Sequence, residues 1–347
     1  MGQFRIVDAG FMTTVQDLGR YGYQQYGVSV SGAMDYVAAK LANILVGNDE
    51  NEGLLEATMI GPKIEFLDAA VIAITGGDMQ PVINGVSLNL NKSISVNKGD
   101  SLTFRGMKKG LRSYIAFTGG IDVPVVMGSK STFLKAQIGG YEGRALRAGD
   151  ILSTGLVNNV QFGREIAENY YDYGSGKVEL RVVLGPQDDA FTENGIENFF
   201  NSEFRVTNNC DRMGYTLEGE NIEHKDGADI ISDGISMGAI QVPNSGNLII
   251  MMADRQTTGG YTKIANVITA DLPKIAQAKP GDVITFKKST LEEAHMLFKE
   301  LENRIDEVKI QLYAQAKNKT EATKAKMVKI YNITVNGTSY GVKVEEL

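Results

Sequence analysis

Three polar, glycine-rich strips hold most of the side chains able to bind or transform a ligand. The first, TTVQDLGRYGYQQYGVSVSGAMD at 13–35, carries Gln16, Asp17, Arg20, Tyr21, Tyr26, Ser31 and Asp35 among glycines. Glycine permits close backbone approach, and Arg with Asp supplies directional polar contacts. The structural alternative is an Asp17–Arg20 pair inside a looped segment. The second strip, NNCDRMGYTLEG at 208–219, holds Asp211 and Arg212. These two either pair with each other, or Arg212 takes a carboxylate or phosphate with both edges of its guanidinium. In the third, residues 232–261, the apolar run NLIIMMA leads into Asp254, Arg255, Gln256, Thr257, Thr258, Gly259 and Gly260. A polar cluster at a strand end, followed by paired glycines, suits an anion or an amide. Together, Asp, Arg, Gln, Thr, Tyr and backbone N–H can hold a carboxylate or carbonyl and stabilise developing oxyanion charge. They supply no nucleophile triad.

Other chemistries find less support. His224 and His295 are far apart in sequence and belong to no cluster with zinc spacing, so no metal is expected. Cys210 has no histidine near it and reads as a small packed residue. The segment DGADIISDG does not match a calcium loop, and neither GxxxxGK[ST] nor a strand-borne GxGxxG occurs. MGSKST at 127–132 offers backbone N–H groups to an anion, but without the full phosphate-loop spacing it reads as a plain loop.

The elements that must carry these strips are mostly strands. The chain has 347 residues, 43% of them hydrophobic, with 39 Gly and no Trp. That is enough for two cores built from short strands and tight turns. Its net charge of −7 argues against nucleic-acid binding. One cysteine, no leader-like N-terminus and no long apolar run lead to the expectation of a cytoplasmic protein without membrane contact. Strands are predicted at 4–8, 63–67, 70–75, 94–96, 101–105, 112–117, 178–184, 203–207, 247–252, 264–269 and 282–286. A helix is predicted after Asp35, with Val37, Ala38, Leu41, Ala42 and Leu45 as its apolar stripe, Asn43 partly off that stripe and Gly47 as its stop.

A short echo recurs three times: Lys98-Gly99-Asp100, Ala148-Gly149-Asp150 and Pro280-Gly281-Asp282 each precede a strand. Each reads as a turn with Gly at positive φ and Asp serving nearby backbone donors. The implied organisation is a first barrel over 1–160, a linker over 161–177 and a second barrel over 178–288. An amphipathic helix over 289–316, capped by Thr290 or Ser289, has an apolar seam that packs on the body or on a partner. A linker at 317–326 and a hairpin at 327–347 around Asn336-Gly337 complete the chain.

The strips TTVQDLGRYG, GVSVSGAMD, LLEATMIGP, AITGGDMQPVINGV, DRMGYTLEG, SDGISMGAIQVPNSG and MMADRQTTGGY resemble allophanate hydrolase subunit 2, over roughly residues 3–287. That carboxyltransferase-like family includes the C subunit of bacterial 5-oxoprolinase, the antagonist of the sporulation kinase inhibitor, and half of the urea carboxylase carboxyltransferase domain. The resemblance implies a mainly β fold of two cyclophilin-like barrels. It also implies a partner, an allophanate hydrolase subunit 1 homologue (the B subunit of 5-oxoprolinase), with the A subunit as a further component. Three functions follow from it. One is membership of an ATP-dependent complex that opens 5-oxo-L-proline to L-glutamate. Another is a carboxyltransferase role, in which the chain meets carboxybiotin on a carrier beside a biotin carboxylase and acts on urea or a small amide. The third is a regulatory antagonist without turnover.

Carried onto this sequence, the family motifs fall on Gln16, Asp17, Arg20 and Asp35, on Asp211 and Arg212, and on Asp254 through Gly260. Asp254 and Gln256 are then the expected catalytic contacts, with Arg20 and Arg212 positioning an anion. Cys210 stands where the family has Ser. The tail MVKIYNITVNGTSYGVKVEEL looks like the opening strands of a biotin carrier, without a Met-Lys-Met site.

Overall fold

The computed structural model describes residues 2–156, 162–166, 173, 176–325, 328–336 and 338–345. In the first half, two antiparallel sheets face each other across one core. One runs, in spatial order, Ile151–Ser153, Gln3–Asp8, Lys63–Phe66, Ser101–Phe104, Pro81–Ile83 and Val86–Ser87. The other runs Met12–Gln16, Leu54–Thr58, Lys109–Phe117, Ala70–Asp78 and Ser93–Val96. Phe4, Ile6 and Phe66 meet Val15, Leu55, Ile72 and Phe117 between them. The rings of Phe4 and Phe117 stack at 4.2 Å. Helix α1, Tyr36–Val46, packs against the strands Ala70–Asp78 and Lys109–Phe117, so these are covered on both faces, and the first of them opens on the continuous apolar run AVIAI.

The second half is a closed barrel. Around the ring its strands are Lys177–Leu184, Lys263–Val267, Ala239–Gln241, Leu248–Met251, Gly214–Glu218, Phe204–Cys210 and Val283–Lys288. The first and last pair in parallel and close it. Helix α2, Glu193–Asn201, packs on the Val283–Lys288 strand, where Phe199 stacks on Phe286 at 4.4 Å. Met34 and Leu111 from the first half belong to the barrel's core cluster, and residues 1–303 form one compact unit. The mainly β, cyclophilin-like architecture expected from the sequence is present.

The repeated Gly-Asp echo is one turn used three times. Gly99, Gly149 and Gly281 take φ of +90°, +95° and +93°. Each glycine N–H bonds a strand carbonyl, those of Phe66, Ile6 and Val206, and the following Asp carbonyl accepts the N–H of that same residue. Each Asp carboxylate accepts the N–H three residues back, from Asn97, Arg147 and Lys279. The motif thus stitches each strand start to a neighbouring strand through the same set of backbone-directed bonds.

Asp35 caps α1 through Ala38 N–H at 3.0 Å, and Gly47 closes it in the left-handed region, as the sequence predicts. Asn43 departs from expectation. It is 1% exposed, and its amide donates to the carbonyls of Glu50 and Glu52. An amide that satisfies a neighbouring loop is buried at little cost. Most of the expected linker 161–177 lies outside the described residues.

Helix α4 runs Leu291–Ala325, with Thr290 Oγ1 accepting from Glu293 N–H at its start. Residues 317–325, read as linker, are therefore helical. Their Ala, Lys and Glu favour helix without needing an apolar stripe. Arg304–Leu347 form a second compact unit. Within it Val328–Val335 pairs with Thr338–Glu345, and Asn336 takes φ +52° in the turn.

Candidate functional site

The three strips converge inside the first unit. Ser29 Oγ donates to Arg255 O at 2.6 Å and Ser31 N–H to Ala253 O at 3.1 Å, joining the first strip to the third. Arg212 joins the second to both. Its Nε and Nη2 donate to the two oxygens of Asp254 at 3.0 and 2.9 Å, its Nη1 to Glu56 at 2.5 Å, and its Nη2 also to Gly32 O at 2.8 Å. Arg212, Asp254 and Glu56 are 3%, 4% and 1% exposed. Burial alone would lower the Arg212 pKa, but the fields of Asp254 and Glu56 outweigh it and hold the guanidinium charged. The other Glu56 oxygen accepts from Met34 N–H and Tyr114 OH. Asp254 thus presents a carboxylate held on both oxygens by one arginine, a positioning arrangement for the loop that follows it.

Several sequence candidates organise the loops around this seam. Asp35 is fully buried; burial raises its pKa, against hydrogen bonds from Ala38 N–H, Gln277 and Tyr173. Asp17 Oδ1 accepts from Gly19 N–H, Ser129 Oγ and Ser131 Oγ, and its Oδ2 from Lys130 N–H. This ties the first strip to the GSKST loop. Arg20 donates to Val126 O at 3.0 Å and Ser131 O at 2.7 Å. Asp17 and Arg20 therefore meet through that loop. Arg20 Nη1, Gln16 Oε1 and Ser31 Oγ are buried without a hydrogen-bond partner. Asp211 is not Arg212's partner. Its Oδ1 accepts from Met213 and Gly214 N–H in its own turn.

Beside the seam lies a cavity of about 780 Å³. One wall is the barrel strand Lys263–Val267, and another is the first turns of α4 through Ala294, His295 and Phe298. Asp233 and Gly234 also line it, from the end of a short two-stranded ribbon that pairs Asp229–Gly234 with Thr258–Tyr261. Gln24 of the first strip also lines it, as do Arg255 and Thr257 of the third. Of the paired glycines, only Gly259 is crowded: a Cβ there would stand 2.5 Å from Ile235 Cδ1 and 2.8 Å from Gln241 Nε2, so those side chains would have to shift, whereas Gly260 has room for one.

Arg255 is partly buried. Its Nε donates to Ile235 O at 3.0 Å and its Nη1 to Met252 O at 3.2 Å. Among the described residues no carboxylate pairs with it, and burial pushes its pKa down to about 10, against the fields of Tyr21 and Asp254. The Gln256 side chain makes no hydrogen bond among the described residues, and Gln256 is not a lining residue of the cavity. Lys263, which the sequence reading missed, has a side chain only 4% exposed, and its ammonium reaches Asp233 at 3.1 Å. The available sign was a lysine inside the strand KIANV, whose burial pattern is otherwise that of a wall. Among the described residues no cluster of His, Cys, Asp and Glu could hold a metal ion. No helix among them is long and apolar enough to cross a membrane.

Residues 26–288 match the family model described as carboxyltransferase domain, subdomain A and B. The chain is 38% identical to the C subunit of 5-oxoprolinase from Escherichia coli (strain K12) over 290 residues, which is 84% of this chain and 92% of that one. It is 37% identical to the corresponding 5-oxoprolinase C subunit of Haemophilus influenzae over 308 residues, 88% of this chain and 97% of that one. The crystal structure of the K. lactis urea amidolyase superposes with a TM-score of 0.83 at 33% identity, covering 88% of this chain and 20% of that one.

Proposed function

The chain belongs to the family of the carboxyltransferase domain, subdomains A and B, and on that footing we propose that it is one component of an ATP-dependent 5-oxoprolinase. Its relatives are parts of enzymes. The complex hydrolyses 5-oxo-L-proline to L-glutamate: the lactam C–N bond breaks, and water supplies the new carboxyl oxygen and the amine proton. One observation carries this choice. The chain matches 92% and 97% of two proteins named as 5-oxoprolinase subunits, against 20% of the amidolyase chain.

The partners in this proposal are homologues of the 5-oxoprolinase B subunit (allophanate hydrolase subunit 1) and A subunit, in the cytoplasm where ATP is supplied. Arg255, Gln256 and Thr257 are the proposed substrate contacts. Arg212 and Asp254 position that loop, and Arg20 and Asp17 order the GSKST loop beside it. Co-purifying the chain with both partners and assaying glutamate release from 5-oxoproline tests this. ATP-dependent release that disappears when this chain is omitted is expected. A complete, folded complex that releases none ends the 5-oxoprolinase assignment.

A second function has its own observation. The terminal hairpin, Val328–Val335 with Thr338–Glu345, carries the segment whose sequence resembles the opening strands of a biotin carrier. It favours a carboxyltransferase role, fed by carboxybiotin on a separate carrier. Carboxylation of urea by the chain with a biotin carboxylase and carrier, and no glutamate release, would select it. Partner binding without either reaction would select the regulatory role.

A further inference from the structure

We propose that the 780 Å³ cavity between the Lys263–Val267 strand and the first turns of α4 binds a compact monocarboxylate, with Arg255 as its counter-ion. The charges in the wall set the class. Lys263 and Asp233 form an ion pair at 3.1 Å and cancel. Arg255 has no carboxylate among the described residues, so the lining holds one cation in excess. A guanidinium partly withdrawn from water without a paired carboxylate carries a desolvation cost, and an entering anion recovers part of it.

Two of its nitrogens are fixed on Ile235 O and Met252 O. These hold the planar fork in place, while Nη2 has no acceptor within the protein among the described residues. Thr257 adds a hydroxyl on the same lining. One excess cation matches one negative charge. A nucleotide triphosphate or a phosphate dianion would leave uncompensated negative charge beside Asp233. Ile235, Ala239, Val267 and Phe298 supply an apolar wall for the body of the acid. The ammonium of Lys263, with one acceptor for three protons, remains a donor for a carbonyl on that body. The volume lies within the range of small-molecule sites, so a five-membered ring acid shares it with water.

The choice of 5-oxo-L-proline as one probe rests on the proposed function; the site itself does not. Calorimetric titration of the full chain uses 5-oxo-L-proline, cyclopentanecarboxylate, 2-pyrrolidone and inorganic phosphate. Both carboxylates are expected to bind, with 2-pyrrolidone and phosphate at least about tenfold weaker. Arg255→Gln is expected to weaken both carboxylates about 10- to 100-fold, the worth of a charge-assisted contact. Because Arg255→Gln also removes two loop hydrogen bonds, Ala294→Trp serves as a second variant. It narrows the cavity from the helix side, with the cation untouched, and is expected to weaken binding while leaving the melting temperature unchanged.

No binding of either carboxylate overturns the proposal. So does binding that both variants leave intact, or binding in which 2-pyrrolidone or phosphate equals the acids. Cyclopentanecarboxylate binding that is lost in Arg255→Gln, with no response to 5-oxo-L-proline and no glutamate from the complex, upholds the site and removes the 5-oxoprolinase function.

Discussion

At the residue scale, the same side-chain types divide into those that hold the fold and those left open to a ligand. Arg212 and Asp254 satisfy each other inside the protein, and Arg212 binds Glu56 as well. Arg212→Met leaves buried Asp254 without its cation and Glu56 with only the more distant Arg112, 3.9 Å away, and is expected to cost roughly 3–5 kcal/mol of stability, read as a lower denaturant midpoint. Arg212→Lys should recover little, since one ammonium cannot replace a fork that engages Asp254, Glu56 and Gly32 at once. A midpoint unchanged in the Met variant would remove the clamp from the account. Gln256 predicts the opposite pattern. With no hydrogen bond of its side chain to lose among the described residues, Gln256→Ala should leave stability within about 0.5 kcal/mol of wild type. It should also lower kcat/KM of the assembled complex at least about tenfold, the weight of one lost polar contact. Full activity in that variant would take Gln256 off the contact list.

At the element scale, two devices fix strand ends and the approach to a helix. In the Gly-Asp turn, Gly281 sits at φ +93° with open space around a would-be Cβ, so Gly281→Ala tests backbone strain alone. A loss of about 1–2 kcal/mol is expected from chemical denaturation, and an unchanged value would show that the turn relaxes freely. Before α3, Leu272–Ala276, a buried carboxylate is held by charge without capping the helix. Asp271 is 0% exposed and accepts from Arg181 N–H at 2.8 Å, Arg181 Nη2 at 2.6 Å and Lys274 Nζ at 2.9 Å. Burial by itself would raise the Asp271 pKa, but the Arg181 and Lys274 contacts outweigh it and hold it below the ordinary carboxylate range. A depressed folded pKa means that the unfolded chain takes up the proton first. The stability Asp271 contributes is therefore present above about pH 4 and is lost as pH falls through its folded pKa. Asp271→Asn should lower stability at pH 7 and flatten the acid limb of the stability–pH curve. An acid limb as steep as wild type would assign that limb to other carboxylates.

At the scale of the whole unit, residues 1–303, the two halves share a polar seam as well as a core. The Gln277 amide alone makes four bonds to the first half. Its Oε1 accepts from Leu111 and Arg112 N–H, and its Nε2 donates to Arg112 O and Asp35. Arg112 reaches back to Tyr215 OH at 2.6 Å and Ala276 O at 2.5 Å. Gln277→Ala leaves two buried N–H groups unmet, each worth about 1–3 kcal/mol. Stability should fall accordingly, and the Leu111 and Arg112 amides should exchange hydrogen faster. Protection unchanged at those two amides would contradict the seam. The same geometry explains the Asp254 loop: it stands where the first half's Ser29 and Ser31 bond it, so the cavity's Arg255 is aimed by both halves.

Local physics made much of this legible from the sequence. The Asp35 cap and Gly47 stop of α1, the three Gly-Asp turns and the Asn336 hairpin depend on residues within a few positions of one another, and the sequence displays them directly. The glycine-rich strips were visible for the same reason, because their composition departs from the strands around them. Partners across long separations were not. Nothing near Asp17 or Asp211 in sequence says that Arg20 and Asp17 both bond the Ser129–Ser131 loop, or that Arg212 pairs with Glu56, 156 positions away, instead of its neighbour. Lys263 reads as one charged residue in a strand until the barrel closes and leaves 4% of its side chain exposed. Which charges cancel and which remain open depends on how separate strands come together in space. Only the tertiary structure decides that Asp254 is spent on Arg212 while Arg255 is left with an edge facing a cavity.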